Sequence, residues 1–298
     1  MSIATETKPS ALSVHKLHPA IGAEVRGLDL RRPLSPEVVQ AVHEAWMQHL
    51  VLVFPEQPVS DAEQIRFARH FGDLEVHHQN IIRSAAAPEI FRVSNVDENG
   101  ELMPPKHPTV AQLLTTLYWH TDSSFRPVPS MGSILHGIEV TQKGGGETCF
   151  TNMYAVYEAL PAPLKRQIEG RKARHDFGYL GKLAAIKPLS EEERRAMPPV
   201  WQPVVRRHPV TGRKSLYISP IYNDAIEGMA DDEAVDLVRE LAEFAGRDEF
   251  VYRHRWRTHD IVMWDNRCTM HQITPYDPTE RRIMHRATIV GDGPVIAA

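Results

Sequence analysis

Strand patterns in this chain gather towards its two ends, and helices do not alternate regularly with them. Short apolar alternations occupy 14–30, and the apolar run LVLVF occupies 50–54. Near the other end of the chain, further strand patterns occupy 250–256, 261–264 and 282–290. A doubly wound α/β fold needs a helix between successive strands, so this order argues against that fold. The sequence therefore predicts a mainly β protein, a sandwich or barrel with flanking helices.

The length of 298 residues suits one large domain of this kind. Residues 1–13 are polar, and we expect them to form a flexible N-terminus ahead of a single domain over 14–298. A helix is predicted at 35–49, with a serine in the N-cap position and a proline after it. Residues 180–202 are charged and rich in proline. We interpret them as a lid or insertion of the domain, not as a linker between two domains.

Composition argues against several classes of protein. Asp and Glu outnumber Lys and Arg by 38 to 34, which disfavours a nucleic-acid-binding protein. Two cysteines, Cys149 and Cys268, are too few for a disulfide framework or a cysteine-rich metal site. No apolar run approaches the ~18 residues of a membrane span, and the N-terminal MSIATETKPS lacks the apolar core of a signal peptide. We therefore expect a cytoplasmic protein without nucleic-acid or membrane partners.

One His-x-Asp pair carries the first indication of chemistry. His120 and Asp122 form the only pair of this type in the chain, and on an extended segment both side chains face the same side. A third ligand is needed for a metal site, and His271, which follows the strand pattern at 261–264, is the best candidate. Two histidines and one carboxylate suit iron(II) in oxygenases, because they leave adjacent positions open. Zinc is not excluded by this ligand set alone.

Two arginines near the C-terminus point to anionic ligands. Arg282 and Arg286 lie in the segment RRIMHRATIV, and on a strand their stems would be roughly 13 Å apart. That distance is too large for both guanidinium groups to hold one carboxylate, so two anions in one pocket is the simpler interpretation. Thr148, which follows the glycines of GGGET, is a candidate hydroxyl donor to one of these anions.

These segments resemble the taurine dioxygenase and 2,4-dichlorophenoxyacetate dioxygenase family of iron(II)- and 2-oxoglutarate-dependent oxygenases. The resemblance runs over nearly the whole chain, and the matching segments keep their order and spacing. They are WHTDSSF at 119–125, GGET at 145–148, WDNRCTMHQ at 264–272 and RRIMHRATIVGD at 281–292.

The resemblance implies a double-stranded β-helix, or jelly-roll, core. It implies that iron(II) is bound by the two histidines and the aspartate named above, with 2-oxoglutarate and O₂ as cosubstrates. It further implies that Thr148 and Arg282 bind the distal carboxylate of 2-oxoglutarate, and that Arg286 faces the acid group of the primary substrate. By analogy with the family we also expect a homo-oligomer, a dimer or a higher assembly.

Two branches of the family compete as guides to the substrate. WHTD and RRIMHRATI are similar to the taurine branch, whereas SNVDENGEL, AMPP and FVYRHRW are similar to the aryloxyacetate branch and are more spread out. The sequence therefore favours hydroxylation of an aryloxyalkanoate with ether cleavage over that of taurine, another alkylsulfonate or an alkyl sulfate. The segment VHHQNIIRS matches neither branch well, and its His77 and His78 are candidate substrate contacts.

Two further hypotheses come from outside this class of enzyme. A jelly-roll protein that only senses 2-oxoglutarate would not need the complete set of metal ligands and both arginines. A zinc hydrolase with the same three ligands would need a general base, and the sequence offers no obvious one. We therefore expect an active dioxygenase that acts on a small anionic organic substrate.

Overall fold

The fold is that of a computed structural model, which describes residues 12–76, 84, 87–183 and 188–298. Eight α-helices occur in these ranges: α1 Pro36–His49, α2 Asp61–Ala68, α3 Pro108–Leu113, α4 Met153–Ala159, α5 Ala162–Ile168, α6 Leu180–Leu183, α7 Glu191–Ala196 and α8 Asp231–Ala245. The first strands are β1 Ser13–Lys16, β2 Ala23–Arg26, β3 Val51–Phe54, β4 Ile90–Ser94, β5 Gly132–Glu139, β6 Thr148–Asn152, β7 Lys172–His175 and β8 Val200–Pro203. The remaining strands are β9 Val205–Arg207, β10 Lys214–Leu216, β11 Asn223–Ile226, β12 Val251–His254, β13 Ile261–Asp265, β14 Thr269–Ile273, β15 Ile283–Ile289 and β16 Ile296–Ala297.

Two sheets face each other around the core of the molecule. The larger has seven strands in the order β1-β2-β3-β13-β5-β15-β4, and the smaller has the order β12-β6-β14. Apolar side chains from both sheets form one buried cluster between them, in which the rings of Phe150 and Trp264 lie 5.4 Å apart. Two more three-stranded sheets, β10-β9-β16 and β11-β7-β8, complete the described strands.

Strand β13 shows how the sequence builds this core. Every residue of IVMWD is buried, because β13 lies between β3 and β5 inside the larger sheet. An almost continuous apolar sequence is typical of a strand that is covered on both faces. Met263 faces the cluster that packs under α1, whereas Val262 and Trp264 face the smaller sheet. The two faces of the strand thus support two different parts of the core.

Helix α1 covers the outer face of the larger sheet. It begins as predicted, with the Ser35 side chain accepting a hydrogen bond from the Val38 N–H and with Pro36 in the first turn. Its buried residues, Val42, Ala45 and Trp46, pack against the sheet. The predicted class, mainly β with flanking helices and a jelly-roll core, is confirmed. The cluster under α1 is separate from the cluster between the two sheets.

The two segments that we set apart in the sequence are described only in part. Residues 1–11 lie outside the described residues, and β1 begins at Ser13, where it pairs with Arg26. Within 180–202 the structure describes α6, α7 and β8, and β8 pairs with β7. None of the helices in the described ranges combines the length and apolar character that a membrane crossing requires.

Candidate metal centre and its surroundings

Three side chains from two distant parts of the chain converge beside the smaller sheet. His271 lies on β14, and His120 pairs with it as an isolated antiparallel bridge, with N–O distances of 3.0 and 2.9 Å. Asp122 follows His120 by two residues, where the chain enters a turn, and its carboxylate lies beside both histidines. One ligand atom from each of the three residues lies within 4.8 Å of the other two, and all three residues are buried. The structure therefore brings together the three candidate metal ligands.

Asp122 is held in its ionised form by its neighbours. Its Oδ2 accepts a hydrogen bond from Ser133 Oγ at 2.9 Å, and its Oδ1 accepts one from Arg286 Nη1 at 2.9 Å. Burial opposes the charge of this carboxyl, but the positive charge of Arg286 does most to overcome that effect and keep its pKa well below the usual range. A carboxylate, not a carboxylic acid, is the form that binds a metal ion.

Both histidines of the cluster are held as neutral imidazoles. His120 Nδ1 lies 2.8 Å from the carbonyl oxygen of Tyr118, which can only accept, so Nδ1 carries the hydrogen and Nε2 keeps a lone pair. Burial lowers the pKa of His120, and it lowers that of His271 well below the ordinary value. Neutral imidazole is the form of histidine that coordinates a metal.

Thr148, at the start of β6, has a hydroxyl whose direction is fixed by Trp256. The indole Nε1 of Trp256 donates a hydrogen bond to Thr148 Oγ1 at 2.9 Å. Because indole nitrogen only donates, the threonine oxygen must accept here. The hydrogen of the hydroxyl therefore remains available for a second acceptor. Trp256 received no functional role from the sequence, although it lies in the FVYRHRW segment.

Arg282 directly precedes β15 and has a buried guanidinium group. Its Nη2 is buried and has no hydrogen-bond partner among the described residues. Its Cζ lies 5.8 Å from the ring centroid of Tyr276, and burial lowers the pKa of the guanidinium. A buried charged group without a partner is costly, so a site of this kind favours the binding of an anion.

Asn95 fixes the backbone on which Arg282 sits. The Asn95 Oδ1 accepts a hydrogen bond from the Arg282 N–H at 2.8 Å, and its Nδ2 donates to the Glu280 carbonyl at 2.7 Å. The Asn95 N–H also donates to the Arg282 carbonyl at 3.2 Å. The side chain thus continues the pairing of β4 and β15 beyond the end of the strands. The sequence contained this residue in SNVDENGEL but gave no signal of its role.

Three glycines before Thr148 allow the chain to pack closely against the segment at Pro275, which leads to Arg282. Gly144, Gly145 and Gly146 all have positive φ, at 97°, 77° and 72°, in the left-handed region that favours glycine. A Cβ atom on Gly145 would lie 2.2 Å from the carbonyl oxygen of Pro275. The tight contact requires glycine, and it holds this loop beside the Arg282 guanidinium.

Arg286 lies on β15 and extends to the metal cluster. Besides its contact with Asp122, its Cζ lies 4.9 Å from the ring centroid of Phe91. Its Nε is buried and has no partner among the described residues. The two arginines have different neighbours, with Arg282 beside Tyr276 and Arg286 beside the metal cluster.

An aromatic cluster lies next to these charges, and the sequence analysis missed it. The ring centroids of Phe125 and Phe177 lie 4.7 Å apart, and that of Tyr222 lies 5.0 Å from Phe125. Burial raises the pKa of Tyr222, and the charge of Asp122 adds to this, whereas Arg286 opposes it. Phe125 was visible in WHTDSSF, but Phe177 and Tyr222 come from segments without a motif.

A second group of possible ligands does not make a metal site. His208, Asp265 and Cys268 have ligand atoms within 4.8 Å of one another. However, Asp265 accepts hydrogen bonds from Arg267 Nε at 2.9 Å and Nη2 at 2.7 Å, and His208 Nε2 lies 3.1 Å from its Oδ2. His208 Nδ1 accepts two backbone N–H bonds, so Nε2 carries the hydrogen and donates. An arginine already occupies the place that a cation would take.

Several known proteins with similar sequences are named as alpha-ketoglutarate-dependent dioxygenases. The chain is 39% identical over 285 residues to an alpha-ketoglutarate-dependent 2,4-dichlorophenoxyacetate dioxygenase of Cupriavidus pinatubonensis, covering 94% of this chain and 98% of that protein. It is 35% identical over 290 residues to a (S)-phenoxypropionate/alpha-ketoglutarate-dioxygenase of Sphingobium herbicidovorans, covering 95% and 96%. A solved structure of AAD-2 in complex with Mn(II) and N-oxalylglycine superposes with a TM-score of 0.87 at 37% identity, covering 97% of this chain and 100% of that one.

The fold, the cluster of two histidines and one aspartate, and these likenesses define an iron(II)- and 2-oxoglutarate-dependent dioxygenase, an oxidoreductase. The sequence model of the family described as "Taurine catabolism dioxygenase TauD, TfdA family" matches residues 13–288. The chain belongs to this family, and the resemblance seen in the sequence is confirmed. Iron(II) is the cofactor of this class, and 2-oxoglutarate and O₂ are its cosubstrates.

The residues present fit these groups. Two neutral imidazoles and one carboxylate form the donor set that suits iron(II), and they are buried together. The partner-free Nη2 of Arg282 and the available hydrogen of Thr148 suit the carboxylate of a bound acid. Of the candidate residues named from the sequence, only His77 and His78 lie outside the described residues.

Proposed function

We propose that this enzyme hydroxylates small aryloxyalkanoates at the carbon between the ether oxygen and the acid group, and thereby cleaves the ether. The observation that carries this proposal is the aromatic cluster of Phe125, Phe177 and Tyr222 beside Arg286. Aromatic walls suit an aryl ring, and a guanidinium suits the carboxylate. The names of the two similar proteins given above support the same class of substrate.

In this proposal His120, Asp122 and His271 bind iron(II), and Thr148 and Arg282 hold the distal carboxylate of 2-oxoglutarate. Iron bound there supplies the oxidising chemistry that converts a C–H bond into C–OH, while 2-oxoglutarate and O₂ give succinate and CO₂. Arg282 would neutralise the carboxylate, and Thr148, oriented by Trp256, would donate to it. The two groups would keep the acid in one orientation, which is a large part of what a protein adds to cofactor chemistry.

Arg286 would bind the acid group of the primary substrate and hold the adjacent C–H bond towards the metal cluster. Its contact with Asp122 supports this role, because it puts the guanidinium within hydrogen-bond distance of a metal ligand. Hydroxylation of the carbon next to the ether oxygen gives a hemiacetal, which separates into a phenol and an aldehyde acid. No protein group needs to break the second bond.

The segment 180–202 is proposed to be a lid over the aromatic cluster. Leu180 is buried in a cluster with Phe125, Ile221 and Tyr222, and Met197 packs against the same cluster. Leu180 at the start of the segment and Met197 in its second half therefore both contact the aromatic cluster. His77 and His78 remain proposed substrate contacts.

The test is a comparison of substrates with the iron-loaded enzyme. Phenoxyacetate and 2,4-dichlorophenoxyacetate are expected to stimulate succinate formation, O₂ consumption and phenol release in equal amounts. Taurine, a longer alkylsulfonate and an alkyl sulfate serve as the alternative substrates. Faster, fully coupled turnover of a sulfonate or sulfate would replace the proposed substrate by the alternative one. Binding of 2-oxoglutarate without any turnover would indicate a sensor instead of an enzyme.

We also propose a homo-oligomer and a cytoplasmic location. Leu114 and Tyr118 are about half exposed, at 50% and 49%, and lie close together in the chain, which supports contact with a second copy. Cys149 and Cys268 are free and buried, as is usual in a reducing compartment. Light scattering after gel filtration tests the assembly, and cell fractionation tests the location.

A further inference from the structure

An ion pair that the mechanism does not use lies at the edge of the site. Glu75 Oε2 is 2.8 Å from Arg126 Nη1, and the side chains are 7% and 30% exposed. Arg126 belongs to the turn that follows Asp122, where its N–H donates to the Ser123 carbonyl at 2.9 Å. Arg126 is thus a further arginine close in the chain to a proposed metal ligand, in addition to Arg286, which contacts Asp122.

The backbone holds Glu75 firmly against the end of β15. Its N–H donates to the Thr288 carbonyl at 2.9 Å, and the preceding residue Leu74 forms a bridge with Ile289. Arg126 is held equally well, because its carbonyl accepts a hydrogen bond from Gln202 Nε2 at 2.9 Å. The ion pair thus joins two segments, one anchored to the end of β15 and the other to β8, and neither partner sits on a free end.

The Glu75 carboxyl lies close enough to Arg286, the proposed substrate arginine, for the two charges to interact. Burial raises the pKa of Glu75, the charge of Asp122 raises it further, and Arg126 and Arg286 oppose the shift. The same three groups, Asp122, Arg286 and Arg126, act on the hydroxyl of Tyr222. The Arg126 Cζ lies 6.0 Å from the ring centroid of Phe125, so this guanidinium also borders the aromatic cluster. Arg126 and Arg286 each have a carboxylate partner.

The two guanidinium groups differ in what they can still bind. Arg286 keeps a buried Nε without a partner among the described residues, whereas Arg126 faces the carboxylate of Glu75. A buried carboxylate also repels a further anion that approaches Arg126. Arg286 would accept the acid group of a substrate, and the surroundings of Arg126 would reject one.

We infer that Glu75 is a specificity-determining residue, which cancels the charge of Arg126 and so limits the substrate to one anionic group. This inference rests on the proposed function, because it takes Arg286 as the site of the substrate acid. An aryl ring that carries a second carboxylate would meet Glu75 instead of a free guanidinium. Removal of the Glu75 charge would turn Arg126 into a second anion site.

The experiment compares Glu75→Gln with the unchanged enzyme on matched acids. Phenoxyacetate carries one negative charge, and the 2-, 3- and 4-carboxyphenoxyacetates carry two. Glu75→Gln is expected to raise the ratio of kcat/KM for at least one of the dianions to that for phenoxyacetate on the order of tenfold. The increase in this ratio should come from a lower KM for the dianion. Calorimetric titration of the same acids under nitrogen, with Mn(II) and 2-oxoglutarate present, should show the same gain in affinity without turnover.

Three variants separate this role from a structural one. Glu75→Gln combined with Arg126→Gln should bring the ratio back to that of the unchanged enzyme, because no free guanidinium remains. Glu75→Asp keeps the charge and should keep the ratio. Asp224→Asn removes a carboxylate from a similar pair, Asp224 and Arg174 at 2.8 Å, and should leave the ratio unchanged.

The outcomes separate the inference from the proposed function. If the unchanged enzyme neither converts nor binds phenoxyacetate, the proposed substrate and this inference both fail. If it converts phenoxyacetate and the ratio in Glu75→Gln stays within twofold of the original for all three dianions, only the inference fails. A ratio that stays high in the double variant would also overturn it, since Arg126 would then not be the second anion site.

Discussion

His120 and His271 donate backbone hydrogen bonds to each other's carbonyl oxygens, at 3.0 and 2.9 Å. The pairing extends the smaller sheet by one short segment and sets the two imidazoles side by side, with ring centroids 4.1 Å apart. Hydrogen bonds of the main chain fix this arrangement, so it does not depend on either imidazole. The fold and the metal binding can therefore be separated by mutation.

Replacement of either histidine should abolish metal binding and leave the fold intact. In His120→Ala or His271→Ala one of three protein ligands is lost, so affinity for iron(II) and turnover should both collapse. Equilibrium dialysis against Mn(II) and the far-UV circular dichroism spectrum measure the two effects. His70→Ala, which changes an exposed histidine of the same chain, is the control. Normal succinate release by either ligand variant would contradict the assignment.

Arg282→Ala should weaken 2-oxoglutarate binding strongly. The loss of a charge-assisted contact in a buried site costs about 2–4 kcal/mol, or roughly 30- to 1000-fold in affinity. The measurement is a calorimetric titration of the Mn(II)-loaded protein with 2-oxoglutarate. An unchanged dissociation constant would place the anchor of the cosubstrate elsewhere.

Asn95→Ala should also weaken 2-oxoglutarate binding, but less than Arg282→Ala does. It removes the side-chain bonds that hold the Arg282 N–H and the Glu280 carbonyl, so the guanidinium is less well placed. A loss on the order of tenfold in 2-oxoglutarate affinity corresponds to about one hydrogen bond. Ser94→Ala is the matched control, because the side chain of this buried neighbour bonds only to the Val96 backbone in the described contacts. Equal losses in both variants would indicate a general loosening of β4.

Arg286→Ala should leave 2-oxoglutarate binding nearly unchanged and lower the productive turnover of an anionic substrate. A larger share of 2-oxoglutarate should then be consumed without product, because the reactive C–H bond is no longer held in place. A comparison of phenoxyacetate with its neutral amide makes the assignment specific. Replacement of the acid by the amide should lower the productive turnover of the unchanged enzyme far more than that of the variant. Equal losses in both enzymes would show that Arg286 does not bind the acid group.

His175 should make the protein less stable in acid. It is fully buried, its Nδ1 lies 2.9 Å from Ser124 Oγ, and burial lowers its pKa from 6.5 to about 3. The unfolded chain binds a proton as the pH falls below 6.5, whereas the folded chain does not. The stabilisation is therefore complete above pH 6.5 and is lost progressively towards pH 3, with about 2 kcal/mol gone at pH 5.

Urea unfolding at pH 8 and pH 5 measures this effect. In His175→Phe, which keeps the stacking on Tyr217, the difference in unfolding free energy between the two pH values should shrink by about 2 kcal/mol. The variant should be less stable at both pH values, since Ser124 loses its partner. An unchanged pH dependence would show that other groups control the loss of stability in acid.

The sequence predicted the parts of the site that lie in compact motifs. His120 and Asp122 are two residues apart, and this short spacing marked them as a pair although Asp122 lies in a turn and not on a strand. The helix α1 was equally predictable, because its serine cap and its apolar spacing are local signals. These features depend on neighbours within a few residues, which the sequence displays directly.

Features that depend on contacts between distant segments could not be predicted. The Asn95 side chain bonds to residues more than a hundred positions away, and an asparagine before a turn usually has a local explanation. The Glu75 and Arg126 pair has no spacing that marks it in the sequence. The aromatic cluster combines Phe125, Phe177 and Tyr222 from three separate segments, and single aromatic residues are common in any core.

The glycine loop before Thr148 limits how this enzyme can be altered by directed evolution. At Gly144 nothing lies within 4 Å of an added Cβ, so a substitution there meets only the strain of a positive φ. At Gly145 the same change meets that strain and a collision with the main chain at Pro275, which no change of rotamer relieves. A library randomised across both positions should therefore return many amino acids at the first and glycine alone at the second.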